Sequence, residues 1–201
     1  DVWVSKLNSS GTWGVAQNMD KPIHDGLKNA AATIAIDGKS IYALNVRNSK
    51  GEYEAGLTKV TLKKNEWTNR RQVNIAGFEA LSYYNLNDRK PKKETEFSMS
   101  SDEKYLVMGL VRRVSESFGD KDLYVSFKTG DNSYSKPINL GAVINTAGNE
   151  GSPFLAADNK TLYFNSNGHP GYGDMDIFVT TRLDDSWTKW TTPVNLGPLI
   201  T

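Results

Sequence analysis

One phrase in this chain returns almost unchanged. Pro137-Ile138-Asn139-Leu140-Gly141 reappears as Pro193-Val194-Asn195-Leu196-Gly197, with 56 residues between the two asparagines. Its surroundings return too, since Asp122-Leu123-Tyr124-Val125-Ser126 becomes Asp176-Ile177-Phe178-Val179-Thr180. Self-similarity at this scale means an array of like supersecondary repeats, each burying its apolar face against a neighbour. Arrays present surfaces, and function must be argued from sites on them.

The third repeat is the plainest. Ser152 to Ala156 leads through the polar turn Ala157-Asp158-Asn159-Lys160 into Thr161-Leu162-Tyr163-Phe164-Asn165-Ser166, a β-branched and aromatic run. The Gly/Pro-rich segment 167–173 reads as a loop. Asp176 to Thr181 is a third strand, Asp184-Asp185 a turn, and Trp187 to Val194 a fourth strand. The second repeat follows suit with Thr95–Met99, Tyr105–Leu110, Asp122–Phe127 and Tyr134–Asn139. The first has diverged further: Ala32–Ala35, Ser40–Leu44, Leu57–Leu62 and Trp67–Asn74. Turn aspartates Asp37, Asp102 and Asp158 mark the register, and the longer first gap reflects a polar insertion from Phe78 to Lys93. Asp1-Val2-Trp3-Val4-Ser5 matches a third strand and Trp13 a fourth, so the chain begins in mid-repeat. No 3.6-residue apolar period competes with these strands.

The expected fold is therefore all-β, a β-propeller of four-stranded antiparallel blades, with about 40–50 residues typical of one blade. About three and a half blades are expected: a half blade at 1–28, then blades at 29–77, 94–141 and 150–197, with the inserted loop at 78–93. A β-sandwich is the alternative, disfavoured by the fixed period. A ring needs about 4–8 blades, so the remaining blades are expected outside this sequence or from another molecule. The opening Asp1, without an initiating Met or leader, points the same way, to a piece of a longer chain.

Composition removes several classes. A net charge of +1 gives no overall basic field for nucleic acid. No apolar run approaches the ~20 residues of a transmembrane helix. There is no Cys, hence no disulfide or thiolate site. No Gly-x-Ser-x-Gly elbow occurs.

Asp174 and Asp176 stand behind a Gly-rich loop, and Asp120 and Asp122 stand likewise one repeat earlier. Such pairs either bind Ca²⁺ or cap turns; the lack of an EF-hand spacing favours the turn caps, and no metal is assigned. Glu150, with Glu94 or Glu96 as its counterpart, could form a carboxylate pair, and is read instead as a partner for the backbone of a neighbouring blade. His24 and His169 share no motif and are read as exposed loop residues. Ser9 to Trp13 lacks the Asp and the spacing of a sialidase Asp-box. No catalytic residue and no cofactor is expected.

Trp13, Trp67, Tyr134 and Trp187 recur at the fourth strand and are read as blade-to-blade packing. Trp3 and Trp190 fall off that register and are the exposed contact candidates. Charge is uneven: residues 57–113 hold twelve Lys and Arg against seven Asp and Glu, while 114–201 hold six against ten. Arg70, Arg71, Arg89, Lys90, Lys92, Lys93, Arg112 and Arg113 carry the excess. Solvated loops explain it on one reading; on the other it docks an acidic partner, with Arg70, Arg71, Arg89, Lys90, Lys92 and Lys93 as the binding residues.

The two Asn-Leu-Gly copies, the run Ile144 to Pro153, Asp158, Leu162 to Gly168, Gly171, Gly173 and Asp176-Ile177-Phe178 resemble TolB-like, WD-repeat-like propeller repeats, as in OmpA-family envelope proteins. The similarity is strong over 120–197 and fades toward the N-terminus. The second repeat has a single Gly in its loop, Val114 to Gly119, and the first has Leu57 where the others have Asp. The resemblance implies a periplasmic, outer-membrane-associated propeller and a non-catalytic interaction scaffold. Its implied partners are envelope proteins, within type IX secretion or gliding machinery, and peptidoglycan through regions outside this sequence. A glycan-binding module and the accessory propeller of a hydrolase are the alternative expectations.

Overall fold

A computed structural model describes residues 2–19, 21–23, 31–47, 50–51, 53–68, 70–78 and 95–200. These fall into two compact bodies, Asp1–Val73 and Asn74–Thr201. The described residues are all-β apart from one 3₁₀ turn at Val114–Glu116.

The N-terminal body holds two sheets. Strands β1 (Trp3–Val4) and β2 (Gln17–Asn18) pair antiparallel, while Trp13, read as the fourth strand of a half repeat, makes only an isolated bridge with Leu7. Strands β3 (Ala31–Ile34), β4 (Ser40–Arg47), β5 (Tyr53–Lys63) and β6 (Glu66–Trp67) follow in order, with β7 (Arg71–Gln72) also on β5. Ile41 and Val60 stand directly opposite on β4 and β5 and so share a face, where they join Ile23 in a small core flanked by Val2, Met19 and Trp67.

The C-terminal body carries the second and third repeats. Its first sheet runs β8 (Asn74–Ile75), β12 (Ser133–Tyr134), β11 (Asp122–Gly130), β10 (Tyr105–Leu110), β9 (Glu96–Met99), with β13 (Ile138–Asn139) also on β11. Its second sheet is four-stranded and antiparallel: β14 (Glu150–Leu155), β15 (Thr161–Ser166), β16 (Asp176–Thr181), β17 (Val194–Asn195). Leu155, Leu162, Phe164 and Phe178 on one face of this sheet share a core with Val107 and Val125 of the sheet before it. Each such apolar side chain contributes about 1.5–3 kcal/mol by leaving water.

The sheets differ in burial. Leu106 to Leu110 and Asp122 to Ser126 are buried without a break, so the second repeat is covered on both faces. Strands β15 and β16 instead alternate between buried residues and half-buried or exposed ones, so the third repeat is covered on one face.

The fourth strands depart from the sequence reading. The expected runs Tyr134–Asn139 and Trp187–Val194 shrink to β12 with β13, and to β17. Pro137 and Pro193 lack the N–H that a continuous ladder needs. In the first repeat the run 67–74 breaks likewise, and β8 pairs in parallel with β12, inside the next sheet.

Candidate functional site

The repeated phrase is a clamp. Asp122 opens β11 with no exposed surface, and each carboxylate oxygen faces the loop before the strand. Oδ2 accepts the Phe118 N–H at 2.7 Å and Oδ1 the Gly119 N–H at 3.1 Å. Asn139 Nδ2 donates to Oδ2 at 2.8 Å. The third repeat reproduces this atom for atom. Asp176 Oδ2 accepts the Tyr172 N–H, Oδ1 the Gly173 N–H at 3.0 Å, and Oδ2 the Asn195 Nδ2 donor at 2.9 Å. A buried carboxylate is stabilised only with such donors, and charge-assisted bonds are the strong ones. The turn-cap reading of Asp122 and Asp176 thus describes the geometry. Asp120 and Asp174 lie exposed beside them. Among the described residues no three His, Asp or Glu side chains gather around one point.

The same asparagines turn the chain after the clamp. Asn139 Oδ1 accepts the Gly141 N–H and Asn195 Oδ1 the Gly197 N–H, both at 2.8 Å. Gly141 and Gly197 take φ of 89° and 91°, which favours glycine. Gly171 is required for a different reason: a Cβ there would lie 1.6 Å from Asp176 Oδ2. A third asparagine extends the network in the second repeat. Asn145 bonds both backbone groups of Leu123, at 2.8 and 2.9 Å, and donates to Asn139 Oδ1 at 2.8 Å. Its role had no signal in the sequence beyond its place in the linker.

What the clamps hold is an exposed aromatic in each repeat. Phe118 is 53% exposed and Tyr172 is 69% exposed, at equivalent positions in successive repeats. Sequence reasoning missed both, because one loop has a single glycine and the other is rich in them.

The acidic candidates are internal. Glu150 is buried at the start of β14, where Oε2 accepts the Thr146 N–H at 2.9 Å and Oε1 accepts the Thr146 and Ser166 hydroxyls, each at 2.7 Å. It binds the loop entering its own repeat, so the expected bond to a neighbouring blade's backbone belongs instead to Glu96. Glu96 accepts the Ser152 N–H across repeats and pairs with Lys121 at 3.0 Å. Glu94 lies outside the described residues.

The turn aspartates that mark the register also cap their turns. Asp37 Oδ1 accepts the Lys39 N–H, and Asp158 Oδ1 accepts the Lys160 and Thr161 N–H groups, all at 2.8 Å. The Thr161 N–H, with the Lys160 N–H and Thr161 hydroxyl, holds the Asp158 carboxyl below its ordinary range. Burial raises Asp102, but its bonds from Ser100, Lys104 and Asn159 outweigh that and leave it lowered. The Asn159 bond, 3.0 Å to Asp102 Oδ2, ties one repeat's turn to the next.

The candidate binding residues divide. Trp3 is 59% exposed. Trp190 corrects the expectation: it is buried, and its Nε1 donates to the Trp187 carbonyl at 2.9 Å. It folds under because Trp187, at φ 62°, sits in a loop beneath Arg182, with the guanidinium 4.7 Å above its ring. Trp187 meets Tyr105 at 4.7 Å and Phe127 at 6.1 Å, so it packs between repeats as read, whereas Tyr134 is buried within its own repeat, its hydroxyl donating to the Glu103 carbonyl at 2.8 Å. Trp67 is half-buried in the small N-terminal core, whereas Trp13, expected in packing, is 69% exposed in an isolated bridge with Leu7. His169 is also corrected. Its Nε2 lies 2.8 Å from the Ile144 carbonyl, and its ring packs on Phe164 and Phe178.

Arg70 is half-buried and donates to the carbonyls of Pro22, at 2.9 Å, and Ile23. Arg112 is buried against Glu116, with its Nη2 2.6 Å from the carboxylate, and over the Tyr124 ring. Both therefore stitch the frame. Arg71 and Arg113 are exposed. Arg89, Lys90, Lys92, Lys93 and His24 lie outside the described residues.

The structure thus defines an all-β repeat protein whose loops are fixed by paired Asp–Asn clamps. No protein-family model matches the chain, and no curated protein does. Solved structures similar to it include TolB from Acinetobacter baumannii, at 16% identity and TM-score 0.47 over 86% of this chain and 33% of that one. They also include an alpha-L-arabinofuranosidase from Lactobacillus brevis, at 14% identity and TM-score 0.41 over 79% of this chain and 52% of that one. The chain spans about a third and a half of those two structures. Among the described residues no helix is long and apolar enough to cross a membrane.

Proposed function

We propose that this chain is part of a β-propeller acting as a non-catalytic scaffold for protein docking. The observation that carries this reading is the duplicated clamp, which spends buried carboxylates on holding two loops and leaves Phe118 and Tyr172 exposed. Rigid display of aromatics on a frame is what a binding surface requires, because little entropy is lost on docking. Glu150, the carboxylate weighed for acid/base work, has both oxygens bonded to internal donors.

The resemblance of the repeats to OmpA-family propellers supports a periplasmic, outer-membrane-associated setting, with type IX secretion or gliding machinery as the complex served. Envelope proteins are the proposed partners. In the insertion, Arg89, Lys90, Lys92 and Lys93 would give an acidic partner a cationic contact, and in the N-terminal body exposed Arg71 is a separate candidate.

The test is crosslinking capture from envelope extracts with the chain and with Phe118→Ser/Tyr172→Ser. A defined envelope protein recovered by the parent and lost with the double variant is expected. Equal recovery by both, or none by either, would sink the reading.

A second reading is glycan binding, favoured by the exposure of Trp3 and Trp13, since exposed indoles stack on sugars. Co-sedimentation with purified sacculi, lost in Trp3→Ala/Trp13→Ala, would establish it in place of the first.

A further inference from the structure

The outward face of the third repeat carries a row of side chains in register across all four strands. Phe154 stands opposite Tyr163, Tyr163 opposite Val179, and Val179 opposite Val194. Directly opposed residues in an antiparallel sheet share a face. Phe154 and Val194 are 61% and 62% exposed, while Tyr163, Val179 and neighbouring Ile177 are half-buried. The Phe154 and Tyr163 rings lie 6.1 Å apart.

The second repeat shows what such a row is for. Its counterpart is Ser98 opposite Val107, Val107 opposite Val125, and Val125 opposite Ile138. There Ser98, Val107 and Val125 are buried, and the cover is the third repeat itself. The Leu155 N–H donates to Ser98 Oγ at 3.0 Å, so the neighbour is also bonded across the junction.

We infer that the Phe154–Val194 face is a docking face for a further four-stranded sheet of this same repeat. The occupant presents the face that Leu155, Leu162, Phe164 and Phe178 present to the second repeat. The inference rests on the repeat-array reading and on the identity of no partner. Two differences shape the fit. Phe154 stands where Ser98 accepts a bond, so apolar area replaces that contact. Thr161, Asn165 and Thr181 stand where the second repeat has Tyr105, Gly109 and Phe127, so the margins of this junction are more polar.

The test appends a second copy of residues 142–200 behind Thr201 of the full chain. Hydroxyl-radical footprinting reads the labelling of Phe154 and Tyr163, and amide exchange reads whether the added repeat is folded. Several-fold lower labelling of both rings, with protected amides in the added repeat, is expected. Val179→Lys in the original repeat restores the labelling, while the unextended Val179→Lys chain melts near its parent. Undiminished labelling over a folded added repeat would overturn the inference, and so would an added repeat that stays unfolded on this face. Loss or recovery of envelope partners in the capture experiment leaves this readout unchanged, so the two proposals fail separately.

Discussion

Asn195 donates its side-chain N–H to the buried carboxylate of Asp176 at 2.9 Å, closing a clamp that spans the strands β16 and β17. The Asp also holds Tyr172 and Gly173, so it joins loop, third strand and fourth strand at one point. Removing either partner leaves polar groups unsatisfied in a low-dielectric site.

Asp176→Ala should cost about 3 kcal/mol in urea unfolding, because three donors lose a buried acceptor. Asn195→Ala should cost about 1–2 kcal/mol. The double variant should cost less than the sum by about 1 kcal/mol, since the two groups form one network. Strict additivity would show that the bond carries no coupling.

Gly141→Ala and Gly197→Ala should each destabilise by about 1–2 kcal/mol through the left-handed backbone alone. At Gly197 a Cβ would meet nothing within 4 Å, so a clash cannot account for the loss there. Asn in place of either glycine should recover part of the stability, as measured by thermal melting. An equal loss with Asn would point to a cause other than φ.

Trp187→Ala should cost about 3–5 kcal/mol, as it removes a buried indole between two sheets. Trp13→Ala should stay within about 0.5 kcal/mol, since that ring is exposed. Acrylamide should quench Trp3 and Trp13 and spare Trp187 and Trp190, and the reverse pattern would contradict the packing described.

Acid should weaken the fold through its turns. The Ser186 hydroxyl and N–H, with Lys189, hold the Asp184 carboxyl down to about 2, and hydrogen bonds lower Asp158 as well. An unfolded Asp titrates near about 3.9. A depressed folded value means that the stabilisation is complete above the unfolded value and is lost as pH falls through the folded one. Asp158→Asn and Asp184→Asn should therefore melt below the parent at pH 7; the Asp184 gap should close between about pH 4 and pH 2, and the Asp158 gap should narrow as pH falls below about 4. Parallel melting curves across that window would refute the assignment.

Much of this architecture was legible because it repeats. The turn aspartates and the recurrent Asp and Asn stand in the sequence at a fixed period, which marks the positions, while the bond from Asn139 and Asn195 to the aspartates is seen only in the structure. What was not legible depends on backbone direction. Trp190 looked free because its spacing missed the aromatic register, yet the loop geometry at Trp187 folds it inward. Arg70 and Arg112 counted as surface charge because a charge tally cannot see carbonyls or a carboxylate brought up from elsewhere in the chain. The long fourth strands failed at Pro137 and Pro193, where a missing donor ends the ladder.

The clamp grips its loop only through the backbone N–H groups four and three residues before the aspartate. The first of the two, Phe118 or Tyr172, is held by its N–H whatever side chain it carries, whereas a Cβ at Gly119 would lie 2.3 Å from the Gly148 carbonyl oxygen. The stretch between β10 and β11 is already longer than that between β15 and β16. Such an anchor separates the part of the molecule that must be inherited intact from the part free to diversify. New specificities can arise in the loops by insertion or exchange, with the sheets beneath them unaltered.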